Sequence, residues 1–269
     1  MSAAGTGFLQ VVKRGGRSVV CRAFAASPLK LLTPRNHGVA AWVYAASYGG
    51  GLVGGDAIRL SVDVAPGAMA FLSTQSSTKA YRSDRGTSAH LDALVGDAGL
   101  LVVAPDPVVC FAGSSYRQSQ QFDVSGTGSF VQVDWLASGR RAAGERWAFD
   151  RYSSRTIVRV DGRLILYDGL SLDSTDGDVS LRIGRFDVLA MVLIVGASLS
   201  AAADAVLTEI NALPVVRCPD TLASASRISA TGIVVRIAGR SVEQVGGLVR
   251  THLRFLPARL GDDPWSRKW

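Results

Sequence analysis

Two spacings in the chain invite a catalytic reading. Gly49-Gly50-Gly51-Leu52-Val53-Gly54 satisfies GxGxxG, the dinucleotide fingerprint in which a glycine turn lets pyrophosphate reach a helix N-terminus. Here an alternating, strand-like segment follows from Ala57, with no helix to supply that terminus, so the stretch reads as a mobile glycine-rich loop between strands. Five glycines in the seven residues before Asp56 still demand unusual backbone angles or a close approach by another chain. Gly50, Gly51, Gly54 and Gly55 are therefore candidates for a gate or an interface. Ser76-Ser77-Thr78-Lys79 fits the SxxK spacing of serine acyl-transfer enzymes, where a lysine one helical turn away activates the serine. The SDN-like and KTG-like elements of those enzymes are missing, and no GxSxG elbow occurs. A solvated turn is the plainer reading, and an acyl-transfer hydrolase built on Ser76 and Lys79 stays as an alternative.

Metal chemistry is constrained by histidine. His37, His90 and His252 are far apart, with no HExxH, no CxxC and no Cys-His pairing, which argues against a closed zinc site. Oxygen donors are better represented: Asp56, Asp106, Asp134, Asp150 and Glu145 could line a wet channel. Asp173, Asp176 and Asp178 flank Gly177 without the order or terminal glutamate of an EF-hand, and read as a polar surface turn.

The elements that must position these groups are mostly strands. Residues 18–167 show period-two patterns or short apolar runs bounded by Gly, Pro, Asp and Ser. Ala57–Val64 alternates cleanly, with Ile58, Leu60, Val62 and Val64 on one face and Arg59, Ser61 and Asp63 on the other. Helical signals come late: a strand over Val188–Val195 precedes a helix over 199–213, and Ser241 with Gln244 forms a capping box opening a helix to about Phe255. Four segments, at 64–67, 95–99, 124–128 and 160–162, each end a strand, turn on glycine and begin another. Their glycines lie 32, 29 and 34 residues apart. Such a repeat predicts stacked strand-turn-strand units, a sandwich or solenoid-like two-layer β fold with two or so helices toward the C-terminus. Tight turns then share one edge, and the excursions at 74–85, 105–117, 134–151 and 168–178 share the opposite rim.

Composition agrees with one compact domain over 1–269, its first 17 or so residues less ordered. Of 29 basic residues 25 are Arg, and of 22 acidic residues 19 are Asp, for a net charge of +7. Nucleic-acid binding is the obvious use of that charge and stays as a second alternative. Yet Arg155, Arg159 and Arg163 are spread along strands rather than clustered, and no RNP-like aromatic pattern appears. The densest basic-aromatic patch, Arg140, Arg141, Arg146 and Trp147, fits a protein interface as well. Cys21, Cys110 and Cys218 read as reduced, mostly buried thiols of a cytosolic protein. The uncharged run 188–203 is too short to span a bilayer, and the N-terminus lacks a secretory apolar core. A mean hydropathy of +0.22 with only 19% charged residues suggests apolar surface awaiting a partner.

Six ordered motifs carry a resemblance: SPLKLLTP at 27–34, GGGLVGGD at 49–56, APGA at 65–68, STKAYRS at 77–83, PDPVVCFAG at 105–113 and SGRRAAGERW at 138–147. In this order and spacing the chain resembles the urease accessory protein UreD family, called UreH in some bacteria, over about residues 18–269, including the tail 264–269. The resemblance implies a mostly β, non-enzymatic, cytoplasmic chaperone that binds apo-urease. It implies recruitment of the nickel-carrying GTPase UreG through UreF, in a 2:2 assembly with UreF, and no nucleic-acid or membrane partner. It also implies no tightly bound cofactor, only transient Ni²⁺ passing through an internal water-filled tunnel. Carried onto this chain, the tunnel's acidic positions are Asp56, Asp134 and Glu145. Thr78, Lys79 and Arg82 lie in the neighbouring excursion, and Asp106, Arg146 and Trp147 complete the tunnel or interface set.

Overall fold

The computed structural model describes residues 4–266, and its strands alternate between two sheets as the chain advances. The strands are β1 (Thr6–Arg14), β2 (Arg17–Ala25), β3 (Leu29–Leu32), β4 (Ala41–Ser47), β5 (Ala57–Val64), β6 (Met69–Thr74), β7 (Thr78–Ala80), β8 (Thr87–Val95) and β9 (Leu100–Val103). They continue with β10 (Val108–Cys110), β11 (Ser115–Val124), β12 (Ser129–Ala137), β13 (Arg151–Val160), β14 (Arg163–Asp173), β15 (Val188–Val195), β16 (Thr221–Ser229) and β17 (Gly232–Gly239). The first sheet runs β14-β13-β11-β8-β5-β1-β2 and the second β16-β17-β15-β12-β9-β6-β4-β3. Parallel strands ordinarily need a helical crossover. Here the crossover is a strand of the facing sheet: β5 leads to β6, β8 to β9 and β11 to β12, so the chain coils, and parallel pairing runs through β1-β5-β8-β11-β13 of the first sheet and β4-β6-β9-β12 of the second. Antiparallel pairs close both edges of the first sheet and the β3 edge of the second, whose other half, β12-β15-β17-β16, is antiparallel throughout.

The glycine turns take the positions the repeat predicts. Val64 lies beside Val95, Val95 beside Val124, and Val124 beside Val160, with Val11 of β1 completing the row. At 99 and 128 a side chain has no room: a Cβ on Gly99 would lie 2.8 Å from Gly96 O, and one on Gly128 2.9 Å from Val124 Cγ1. The fourth turn departs from the pattern. Asp161 and Gly162 both have positive φ, the two-residue turn that matches strand twist, and they fold β14 back beside β13 in the same sheet.

Between the sheets, Leu9, Val62, Val95, Phe122 and Val158 meet Val43, Leu72, Leu101, Phe130 and Leu193. The second sheet is buried on both faces, which explains the unbroken apolar run of β15. Its far side packs α2 (Ser200–Asn211) through Ala203, Val206 and Ile210, and α3 (Val242–His252) through Val245 and Val249. The expected cap of α3 is present, with Ser241 Oγ accepting from Gln244 N at 3.2 Å. Two short helices, α1 (Val179–Ile183) and α4 (Leu256–Leu260), complete the set. No described helix is long and apolar enough to cross a membrane.

The N-terminal segment forms β1 over Thr6–Arg14, where Leu9 and Val11 fill the inter-sheet core and β1 pairs with β5. Three expectations are corrected. Only Cys110 is buried; Cys21 and Cys218 are exposed free thiols, one on an outer strand and one in a loop. Residues 168–173 belong to β14 rather than to an excursion. The excursions at 74–85 and 105–117 are themselves partly strand, since β7 pairs with β10 and β10 with β12. Of the tail, Arg267, Lys268 and Trp269 lie outside the described residues, while Trp265 packs edge-on against Phe71 at 6.3 Å.

Candidate functional site

Parallel register gathers the long connections on one side, and cavities open among them. One, of about 240 Å³, lies between the sheets, lined by Gly50, Ser76, Ser77, Thr78, Tyr116 and Gln118 among others. A second, of about 620 Å³, opens between β14 of the first sheet and β15–β17 of the second; Asp134, Tyr152, Ser154, Asp168 and Arg236 line it. Asp168 and Arg236 form an ion pair there.

A single polar knot separates these two cavities. Gln118, facing the first, donates through Nε2 to Asp134 Oδ1 at 2.7 Å and Oδ2 at 2.9 Å, with Ser154 Oγ at 2.9 Å and Tyr152 OH at 3.2 Å. Ser154 Oγ donates to Asp134 Oδ2 at 2.9 Å. These side chains meet because β11 and β13 are parallel neighbours, with Gln118 directly opposite Ser154, while Asp134 reaches them from β12 in the facing sheet. Burial pushes the Asp134 carboxyl upward, the bonds from Gln118 and Ser154 oppose the shift, and Asp168 adds to it. Burial likewise raises the Tyr116 and Tyr152 hydroxyls, with Asp134 contributing. The two rings stack, their centroids 6.1 Å apart. Sequence reading marked Asp134 but missed Gln118, Tyr116, Tyr152 and Ser154. Only the parallel register between strands, invisible in a linear pattern, brings them together.

The other candidate acids stand elsewhere. Asp56 closes the glycine loop by accepting from Val53 N at 2.9 Å and lines a separate rim cavity of about 630 Å³ with Asp84, Asp150 and Asp173, which touches the inter-sheet cavity at Tyr116. Within that rim the hydroxyl and amide of Thr175, then Arg151, hold Asp173 at about 2. Glu145 is ion-paired with Arg140, accepts from Ala112 N at 3.2 Å, and has its own carboxyl lowered first by Arg140. Arg140 in turn lies over the Phe111 ring at 4.3 Å. No group of three or more His, Cys, Asp or Glu among the described residues is placed to share a metal ion.

Arg146 and Trp147 turn inward. Arg146 Nε donates to Asp187 Oδ1 at 2.6 Å, and Trp147, 3% exposed, donates from Nε1 to Phe186 O at 2.9 Å. They tie the 138–150 loop to the base of β15. Lys79 O accepts from Leu52 N at 2.7 Å, joining the glycine loop to β7, and a Cβ on Gly51 would lie 2.8 Å from that oxygen. A Cβ on Gly54 would collide with the Ser83 hydroxyl, whereas Gly50 and Gly55 take positive φ. Arg82 is exposed and borders Gly113; Asp106 N donates to Thr74 Oγ1 at 2.8 Å, and Asp106 lines a cavity of about 410 Å³ beside α3. Ser76 sits in a loop and Lys79 in β7, so the helical turn that SxxK chemistry needs is not formed. GxGxxG likewise runs into β5 rather than a helix.

A Ser-His-Asp relay does occur on the open face of the first sheet: His90 Nδ1 is 2.5 Å from Ser119 Oγ, and Nε2 is 2.7 Å from Asp92 Oδ2. Backbone amides of β8 and β11 are engaged by parallel neighbours on both sides. That leaves this relay without the free N–H pair that stabilises an acyl-transfer oxyanion.

A family model described as the UreD urease accessory protein matches residues 4–269. A urease accessory protein UreD of Sorangium cellulosum is 51% identical over 99% of this chain and 85% of its own length. One from Anaeromyxobacter is 42% identical, covering 98% and 89%, and the urease accessory protein D of Arabidopsis thaliana is 32% identical, covering 97% and 99%.

Proposed function

The chain belongs to the UreD urease accessory protein family, and on that premise we propose that it is a non-catalytic, cytoplasmic chaperone that binds apo-urease and helps load it with nickel. UreF docks on it as a 2:2 assembly and brings UreG; Ni²⁺ is cargo, with no tightly bound cofactor. The observation that carries the ion-passing part of this reading is Asp134, partly buried between two cavities and held there by donors from Gln118 and Ser154. Carboxylate, hydroxyl and amide oxygens hold Ni²⁺ more weakly than imidazole or thiolate, which suits an ion that must leave again. Asp168 and Arg236 supply one mouth, and Thr78 with the glycine loop at Gly50 the other. Asp56 and Glu145, engaged in local structure, act at the rim and in loop positioning.

The test is co-expression of the urease operon with wild-type chain or with Asp134→Ala, Asp56→Ala and Glu145→Ala. Nickel per urease active site and capture of apo-urease and UreF on a tagged copy are measured. Loss of nickel with retained capture in Asp134→Ala supports the conduit. Full loading in Asp134→Ala refutes the conduit while leaving a scaffold role, and failure to capture either partner refutes the chaperone reading.

A further inference from the structure

Gln118 holds the place a cation would need. Its Nε2 approaches both oxygens of Asp134, at 2.7 and 2.9 Å, from the side of the inter-sheet cavity, so the edge of the carboxylate that could ligate an incoming ion is already covered by an N–H donor. Its Oε1 points the other way, toward Tyr116 OH at 3.4 Å. The two ends of a primary amide are nearly equal in size and opposite in hydrogen-bond character. A half-turn about the last side-chain torsion, a broad and soft rotation, exchanges them without displacing neighbouring atoms. Oε1 would then face the Asp134 carboxylate, two acceptors against each other. That arrangement is unfavourable unless a positive ion lies between them, in which case both become hard ligands of the same ion.

We propose that Gln118 is a cation-operated gate: with Nε2 toward Asp134 the wall between the cavities is closed, and a divalent cation arriving from the inter-sheet side turns the amide and passes between Gln118 Oε1 and Asp134. The inference rests on the reading that nickel travels past Asp134. Ser154 supplies the restoring force: its hydroxyl proton goes to Asp134 Oδ2, so toward this amide it can only accept, and its contact with Nε2 is lost when Oε1 takes that place. A monovalent ion offers about half the charge to offset the loss of this contact, so the gate favours divalent cargo.

The experiment uses the full chain co-expressed with the urease operon, reading nickel per urease and nickel retained on the chain captured with its partners. Gln118→Glu fixes an acceptor opposite Asp134 and makes a two-carboxylate trap. Retained nickel should rise by about tenfold, in the range by which outer ligands alter metal affinity, while urease loading falls. Gln118→Leu fills the same space without an oxygen, and loading should fall with no rise in retained nickel. Gln118→Asn keeps the amide on a shorter stem and should load to an intermediate level; if the leucine variant no longer captures apo-urease, the Glu and Asn variants decide between them. Wild-type loading in Gln118→Glu and Gln118→Asn, with Asp134→Ala defective, overturns the gate and leaves the conduit standing. Full loading in Asp134→Ala overturns both.

Discussion

Arg146 Nε lies 2.6 Å from Asp187 Oδ1 while Arg141 engages the other carboxylate oxygen, so one side chain, 9% exposed, receives two guanidiniums from a single loop. Asp187 N also donates to Gly239 O at 2.8 Å, which carries the connection into β17. Asp187→Ala strands Arg146 against Phe186 and Gly184. The expected loss is about 2 kcal/mol, the scale of a hydrogen-bonded charge left without its partner, read as a lower urea midpoint with unchanged slope.

Phe122 and Phe130 face each other across the two sheets with ring centroids 4.1 Å apart, both fully buried. Phe122→Ala opens a cavity at the contact that joins the layers. It should lower unfolding free energy by about 3–5 kcal/mol, whereas Phe24→Ala, on the exposed face of β2, should change it little.

Burial pushes the Cys110 thiol up to about 12, leaving no thiolate near neutral pH, while Cys21 and Cys218 are exposed. Titration of the native protein with a thiol-reactive disulfide at pH 8 should therefore show two prompt equivalents. The third should appear only with denaturant; three prompt equivalents would mean that the region around β10 opens readily.

His252 on α3 is buried, with neither ring nitrogen hydrogen-bonded. Burial lowers its pKa, Arg254 adds to that, and Glu209 at 3.7 Å opposes it. With the folded value depressed, the stabilising difference is complete above the unfolded value of about 6.5 and is lost as pH falls through the folded value. Stability should decline from pH 7 toward pH 5. His252→Leu should flatten that part of the profile, and an unchanged slope would exclude His252 as its source.

Sequence reading reached the coil because glycines recur where valine rows end, and a turn that admits no Cβ leaves a trace in composition. Val188–Val195 and the cap at Ser241 were legible for similar local reasons. Trp147 was not: an Arg-Arg and Trp cluster looks the same whether it faces a partner or Phe186 O, and only burial tells the two apart. Gln118 carried no signal of its own, since its meaning depends on Ser154 lying 36 residues on, in register, and on Asp134 facing both from the other sheet. Resemblance to a family named Asp134 without naming what holds it.

The alternation of layers also sets the order in which the chain can become a protein. Each parallel pair joins strands separated by a visit to the opposite sheet, so neither sheet can assemble ahead of the other. Every unfinished coil presents a bare parallel edge above a half-covered apolar floor. Such long-range pairing folds slowly and leaves sticky intermediates exposed while synthesis continues. On that account, a binding partner present during synthesis would act first on the nascent chain, by shielding that edge until β13 and β14 close it.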